Sequence, residues 1–328
     1  MIISQTPLRM SFTGGGSDIP SYYRQFGGAV ISTAISKYVY VTINKKFDSG
    51  VRVAYSKNEE VSVVQEIEHR LVRTSMEYLG LNGGVEITTI ADIPKGTGLG
   101  SSSSFTVGLL HALNAFMGRY ISNEQLSMDS CHIEIDRCGE PIGKQDQYAA
   151  AYGGFNLIKF NPNDSVVVTP IICHRETIQH IERSILVFYT GISRSASSLL
   201  RQQSIEVNGQ LQKKKTIQRM VELTYSLAEE LQRNNANVLG EILHENWMLK
   251  KSLTNGISNC DIDHWYETAC RAGAIGGKLL GAGAGGFLMI YAPVESHEAI
   301  KHALHVLRPI PIRFEPLGSR IIFYNRTN

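Results

Sequence analysis

Residues 94–105 read PKGTGLGSSSSF, with glycine at 96, 98 and 100, serine from 101 to 104, and an apolar run opening at Phe105. Such a stretch has two readings. It can be a flexible linker between autonomous units, or a loop whose N–H groups converge on an anion at a helix N-terminus. The flanks decide. A strand pattern over 85–90 enters it directly, and Val107, Leu110, Leu113, Ala115 and Met117 describe a largely buried helix leaving it. No polar spacer separates either element from the glycines, so the linker reading fails. Glycine allows positive φ and places no Cβ in front of a ligand. The lysine of a GxxxxGK[ST] loop is absent. The expected cradle therefore works with backbone and hydroxyls, from Pro94, Gly96, Gly98, Leu99, Gly100, Ser101, Ser102, Ser103 and Ser104.

The rest of the chain sets the bounds. It has 328 residues, 43% hydrophobic and 19% charged, an ordinary globular composition with length for two domains. Lys+Arg 32 against Asp+Glu 30 is nearly balanced, which argues against a nucleic-acid partner. The run Lys213-Lys214-Lys215 reads as a solvated helix face. No apolar run approaches the roughly 20 residues that cross a bilayer. The start, MIISQTPLRMSF, does not read as a signal peptide. Five cysteines without a CxxC pair read as reduced, mostly buried thiols, and the cytoplasm is the expected compartment. The oligomeric state is left open, and a homodimer is compatible with the sequence.

Along the chain, strands are expected over 28–31, 37–45 and 51–55, and a helix over 66–78 that stops at Gly80. A second helix spans 123–137, capped by Ser122 or Asn123, with Leu126, Cys131, Ile133 and Ile135 inward. After Gly153-Gly154 comes the strand FNLIKF, and the polar stretch 161–165 is the candidate boundary between domains 1–165 and 166–328. Beyond it stand a buried strand ILVFYTG and a long polar helical region over about 195–253 that breaks near Asn234-Asn235. AIGGKLLGAGAGGFLMIYAP, a helical HEAIKHALHVL and two closing strands complete an α+β unit.

Two further glycine clusters matter: RMSFTGGGSD (9–18) and KLLGAGAGGF (278–287). The second contains GxGxxG at Gly281, Gly283 and Gly286, but a strand follows it where a dinucleotide fold needs a helix. Taken with PKGTGLGSSSSF, and in this order, the three motifs resemble those of the GHMP small-molecule kinases over essentially the whole chain. The resemblance implies an α+β two-domain fold, with an N-terminal domain like ribosomal protein S5 domain 2 and a ferredoxin-like C-terminal domain. It also implies ATP and a small substrate in the cleft between them.

Phosphoryl transfer needs in-line positioning, cancellation of phosphate charge, and an acceptor for the hydroxyl proton. The segment EIDRCGEPIGKQDQY (134–148) resembles the sugar-kinase version of the family. By that carry-over Glu134 and Ser102 hold Mg²⁺ and Asp146 is the base, with Asp136 and Glu140 as nearby rivals of Glu134. Arg9 matches the family cation beside the transferring phosphoryl group, where an ion pair with Asp146 suits a proton acceptor; Lys144 is an alternative. Gly15, Gly16, Ser17 and Asp18 match the sugar-contacting loop, and Gly283 is assigned to the same substrate site. The GGGSD form departs from galactokinase and, with YTGISRSAS (189–197), most resembles the branch acting on the anomeric hydroxyl of D-glycero-D-manno-heptose 7-phosphate. A sugar phosphate needs a cationic receiver; Arg194 is expected, with Arg24 as the other candidate. A kinase for L-fucose or galactose is the alternative, and a non-catalytic sensor is disfavoured by retention of Arg9, Ser102, Glu134 and Asp146.

Overall fold

The segment IISQTPLRMSFT, not singled out as a strand in the sequence, forms β1 (Ile2–Thr13), which pairs antiparallel along most of its length with β2 (Gly28–Lys45). The computed structural model describes residues 1–192, 199–202, 205–206 and 210–325. The two strands expected over 28–31 and 37–45 are one. The residues between them, Ser32 to Ile35, still pair with β1, and the register shifts at Pro7/Leu8, opposite Ser36 and Lys37. One half of β2 pairs with β5 (Val85–Ala91) and the other with β6 (Phe155–Phe160). β3 (Val51–Ala54) runs parallel to β5, and β4 (Asn58–Val61) closes that edge.

The stretch 161–165 is the turn of a hairpin. Asn161 N donates to Ser165 O at 2.9 Å, and β7 (Val166–Pro170) pairs with β6. The terminal strand β12 (Arg320–Tyr324) returns to pair with β1. The first sheet thus takes strands from both sides of the expected boundary at 165. Polar, turn-forming residues mark hairpin tips and linkers alike, which is why composition misplaced it.

The second sheet is antiparallel, in the order β11 (Arg308–Pro309), β8 (Ile185–Tyr189), β10 (Phe287–Tyr291), β9 (Gly276–Leu279). Helices α7 (Leu211–Gln232) and α8 (Leu239–Leu253) pack together, with the break between them at Asn234, whose φ is 63°. The polar look of this region hid a wholly buried stripe of Ile217, Met220, Leu227, Leu231, Leu239, Leu243 and Trp247. In the basic triplet, Lys213 pairs with Glu206 and Lys214 reaches Gln25, so only Lys215 is fully on the solvent face. The cysteines are free thiols, but only Cys131 and Cys138 are buried. Among the described residues no helix is long and apolar enough to cross a membrane.

Two helices of the first half position the site. α2 (Arg70–Leu79) stops at a left-handed Gly80, as expected, and begins four residues later than the pattern suggested. α3 (Ser101–Phe116) lies against β1 and β2, buried along most of its length. Ser4 Oγ donates to Gly108 O at 2.8 Å and Ser104 Oγ to Pro7 O at 2.8 Å, fixing the helix on β1. α4 (Asn123–Cys131) is capped by Ser122, which accepts from Gln125 N at 3.2 Å, and continues as a π-helical turn over His132–Arg137.

Candidate active site

The loop between β5 and α3 makes its turns at Gly96, Gly98 and Gly100, with φ of 79°, 84° and 75°. Gly100 caps α3 in the left-handed conformation without a side-chain bond, and the first bond into the helix is Ser104 N to Gly100 O at 2.9 Å. The N–H groups of Ser101, Ser102 and Ser103 thus stand at the positive end of a sixteen-residue helix that opens on a cleft of about 630 Å³. Gly96, Gly98, Gly100 and Ser101–Ser103 line that cleft. Pro94, Leu99 and Ser104 support it from outside. Pro94 O accepts from Thr97 Oγ1 at 3.0 Å, Leu99 O accepts from Arg9 N at 3.1 Å, and Ser104 is buried on Pro7.

The third glycine cluster braces this loop. A Cβ on Gly281 would fall 2.5 Å from Gly98 Cα, and one on Gly98 would fall 2.3 Å from Leu280 O. The turn thus seats backbone on backbone, which explains its glycines without a dinucleotide. Gly281 and Ala282 line the cleft, whereas Gly283 faces Ile257, so Gly283 is corrected from a substrate contact to a packing position.

Arg9, 3% exposed, spans the centre. Its Nε and Nη2 donate to Asp146 Oδ1 and Oδ2 at 2.7 and 2.8 Å, and its Nη1 donates to Gly98 O at 2.7 Å. One guanidinium therefore ties the carboxylate on α5 (Gln145–Tyr152) to the anion loop, in the fork geometry that lysine lacks. Lys144 does not share this task. Its Nζ lies 3.3 Å from Asp164 Oδ1 and over the Tyr23 ring, outside the cleft, because Lys144 precedes α5 and points to its other side. Arg24 is on that far side too, 58% exposed and paired with Asp164. Arg194 lies outside the described residues.

Glu134 sits in the π-helical turn. The wider turn, closed by Cys138 N to Ile133 O at 2.9 Å, buries Ile133 and Glu134 together and leaves Asp136 exposed. Glu134 Oε1 accepts from Ser102 Oγ at 3.1 Å and Oε2 from Gln147 Nε2 at 2.5 Å. Burial pushes its carboxyl up to about 7, against the lowering effect of bonds from Ser103, Gln147 and Ser102. Glu140 lines the cleft mouth, whereas Glu134 is on Ser102.

Asp18 is buried. Its Oδ1 accepts from Gly16 N at 3.0 Å and its Oδ2 from Gln145 N at 3.3 Å; burial, then the charge of Asp146, raises its pKa. Gly15 and Gly16 line the cleft beside it. Ser17 is structural, exchanging hydrogen bonds with Ala29 O and N at 3.0 and 3.1 Å. Ser11 Oγ and Gln145 Oε1 also line the cleft, with no hydrogen-bond partner among the described residues.

Two lysines went unnoticed in the sequence. Lys250 on α8 donates to Gly15 O at 3.2 Å, one helical turn beyond Asn246, whose Oδ1 accepts from Gly14 N at 3.3 Å. Lys278 on β9 donates to Phe12 O at 3.2 Å. Both are buried and both line the cleft. Lys250 looked like one more charge on a polar helix. For Lys278 a signal existed, since it opens the KLLGAGAGGF motif.

A glycine-turned helix N-terminus, a buried carboxylate–serine pair and a cleft-facing Arg–Asp pair fit a phosphotransferase. The comparisons agree. Models of the GHMP kinases N terminal domain and the GHMP kinases C terminal match residues 62–154 and 227–308. A D-glycero-alpha-D-manno-heptose 7-phosphate kinase of Campylobacter jejuni is 30% identical over 92% of each chain. A bifunctional fucokinase/GDP-fucose pyrophosphorylase of Arabidopsis thaliana is 28% identical over 88% of this chain and 29% of its own. Among solved structures, one described as a D-glycero-D-manno-heptose 1-phosphate kinase from Bacteriodes thetaiotaomicron superposes with a TM-score of 0.82 at 25% identity, covering 99% of this chain and 100% of the other. The chain belongs to the GHMP kinases, and within them it is an ATP-dependent sugar kinase.

Proposed function

We propose that this kinase phosphorylates the anomeric hydroxyl of D-glycero-D-manno-heptose 7-phosphate, giving the 1,7-bisphosphate. The observation that carries the reading is the Arg9–Asp146 pair, held between the anion loop and the sugar-facing Asp18. Asp18 accepts hydrogen bonds from two sugar hydroxyls, and Ser11 Oγ and Gln145 Oε1 supply further polar partners. The N–H groups of Ser101–Ser103 hold the phosphate tail of ATP. The anomeric hydroxyl gives its proton to Asp146 as its oxygen bonds to the γ-phosphorus, the β–γ bridging P–O bond breaks, and ADP leaves with that electron pair. Arg9 fixes both carboxylate oxygens, so Asp146 meets the hydroxyl in one orientation.

The Ser102 hydroxyl and the Glu134 carboxylate fit Mg²⁺: both are hard oxygens, and Glu134 is a buried acid with no cation bonded to it among the described residues. When bound there, the ion offsets negative charge on the phosphate oxygens. One carboxylate suffices, because Mg²⁺ takes its remaining ligands from phosphate and water.

The substrate is supported by the GGGSD loop and by the Campylobacter relative at 30% identity. L-fucose is the second reading, favoured by the Arabidopsis relative. ATP consumption against heptose 7-phosphate, its dephosphorylated form, L-fucose and D-galactose separates them. The expected result is a kcat/KM for heptose 7-phosphate at least roughly a hundred-fold above the others. Equal rates with an unphosphorylated sugar overturn the heptose assignment and leave the kinase.

A further inference from the structure

We infer that Lys250 and Lys278 together receive the phosphate that the acceptor sugar already carries; this rests on the sugar-phosphate reading above. Both lysines enter the cleft from the C-terminal half, one from α8 and one from β9. Their backbone partners, Gly15 O and Phe12 O, belong to the strand end and loop that present Asp18, which is the acceptor side of the cleft. The triphosphate side already has its donors in the loop and in the N-terminus of α3. Arg9 is committed to Asp146, and Arg24 is committed to Asp164 outside the cleft. Among the described residues Lys278 makes no ion pair. After burial, Lys250 and then Arg9, both cationic, act to lower its pKa.

Asp18 acts on Lys250 in the favourable sense, whereas the charges acting on Lys278 are cationic, and a buried ammonium in that field is unfavourable for a protein to hold without a ligand. A neutral sugar does nothing to offset it. A phosphomonoester dianion does, because it brings two charges and three acceptor oxygens to two point-charge donors. The arrangement therefore selects for an acceptor that is already phosphorylated, and its cost to the empty protein is a cost of specificity. Both lysines are buried, and methionine approximates the length of their stems without the charge.

The test compares wild type, Lys278→Met and Lys250→Met in calorimetric titrations with heptose 7-phosphate and with the dephosphorylated heptose, both with a non-hydrolysable ATP analogue present, and with that analogue alone. Each substitution is expected to raise the Kd of the 7-phosphate roughly ten-fold or more while moving the other two by less than about three-fold. Lys278→Met is also expected to melt at or above the wild-type temperature, whereas loss of a merely structural lysine lowers it. Equal losses for both sugars mean that the lysines hold the ring, and a loss confined to the analogue means that they serve the triphosphate. Either result overturns the receiver, as does no loss at all. If Lys250→Met fails to fold, Lys278→Met alone decides. A wild type that binds 7-phosphate tightly while the variants are unchanged overturns the receiver and spares the substrate. A wild type indifferent to the 7-phosphate overturns both.

Discussion

Arg9 divides one guanidinium between the proposed base and the anion loop, through two bonds to Asp146 and one to Gly98 O. Asp146→Asn keeps the shape of the side chain but removes the proton acceptor. We expect kcat to fall by roughly 10²–10⁴-fold with the Kd of an ATP analogue within about three-fold of wild type, measured by steady-state kinetics and calorimetry. A variant that retains half the wild-type rate refutes the base. The lysines permit a prediction on stability. Burial, with Lys250 and Arg9 nearby, holds the folded Lys278 ammonium down at about 7 against an ordinary 10.5. Between those values the unfolded chain binds more protons than the folded chain, so wild-type stability gains as pH rises through that window, by about 1 kcal/mol per pH unit. Below the folded value the full penalty of a buried charge is present. Lys278→Met should therefore be more stable than wild type by the widest margin at about pH 6, and the margin should shrink by about pH 10. Urea denaturation at both pH values checks this, and a margin that does not change with pH refutes the buried-charge account.

At the scale of elements, the turn 280–286 and the loop 94–100 act as one unit because glycine lets their backbones touch. Gly281→Ala puts a methyl carbon 2.5 Å from Gly98 Cα, so the anion loop must shift. The expected outcome is a KM for ATP raised roughly ten-fold or more, from the lost alignment of the N–H donors. Gly80→Ala is the matched comparison. Its φ is +72° and nothing lies within 4 Å of the added carbon, so it should cost about 1–2 kcal/mol of stability and leave KM untouched. Elements were legible where a local rule governs them. Ser122 caps α4, Gly80 ends α2, and Gly100 opens α3, each for a reason contained in a few residues. The π-helical turn at His132–Arg137 was not legible, because the pattern of Leu126, Cys131 and Ile133 fits an ordinary helix equally well. That turn is what places Glu134 on Ser102.

For the whole molecule, the proposed catalysis depends on β1, which carries Arg9 and whose first residues, Ile2–Gln5, are covered on the outer edge by β12. Ser319, just before β12, bonds Thr6 Oγ1 at 2.8 Å and His111 Nδ1 at 3.0 Å, joining the C-terminus to β1 and α3. Deleting residues 319–328 uncovers that edge and leaves Thr6 without its partner. We expect Tm to fall by roughly 5 °C or more, with activity per folded molecule reduced because Arg9 loses its support. An unchanged melting curve and unchanged turnover refute this role for β12.

The sequence by itself determined the three glycine motifs and their order, while the pairs Arg9–Asp146 and Glu134–Ser102 were expectations implied by the resemblance to the GHMP kinases, with Lys144, Asp136 and Glu140 as rivals. The motifs were readable because glycine geometry and the helix N-terminus restrict which residue types can stand at an anion-binding turn. Only the tertiary structure decided which charges share the cleft. Lys250 and Lys278 come from a helix and a strand far along the chain and meet Gly15 and Phe12 across the junction of the halves. Lys144, two residues from Asp146, points away. Sequence neighbours on a helix face different directions, whereas burial beside a distant strand depends on packing that no local pattern encodes.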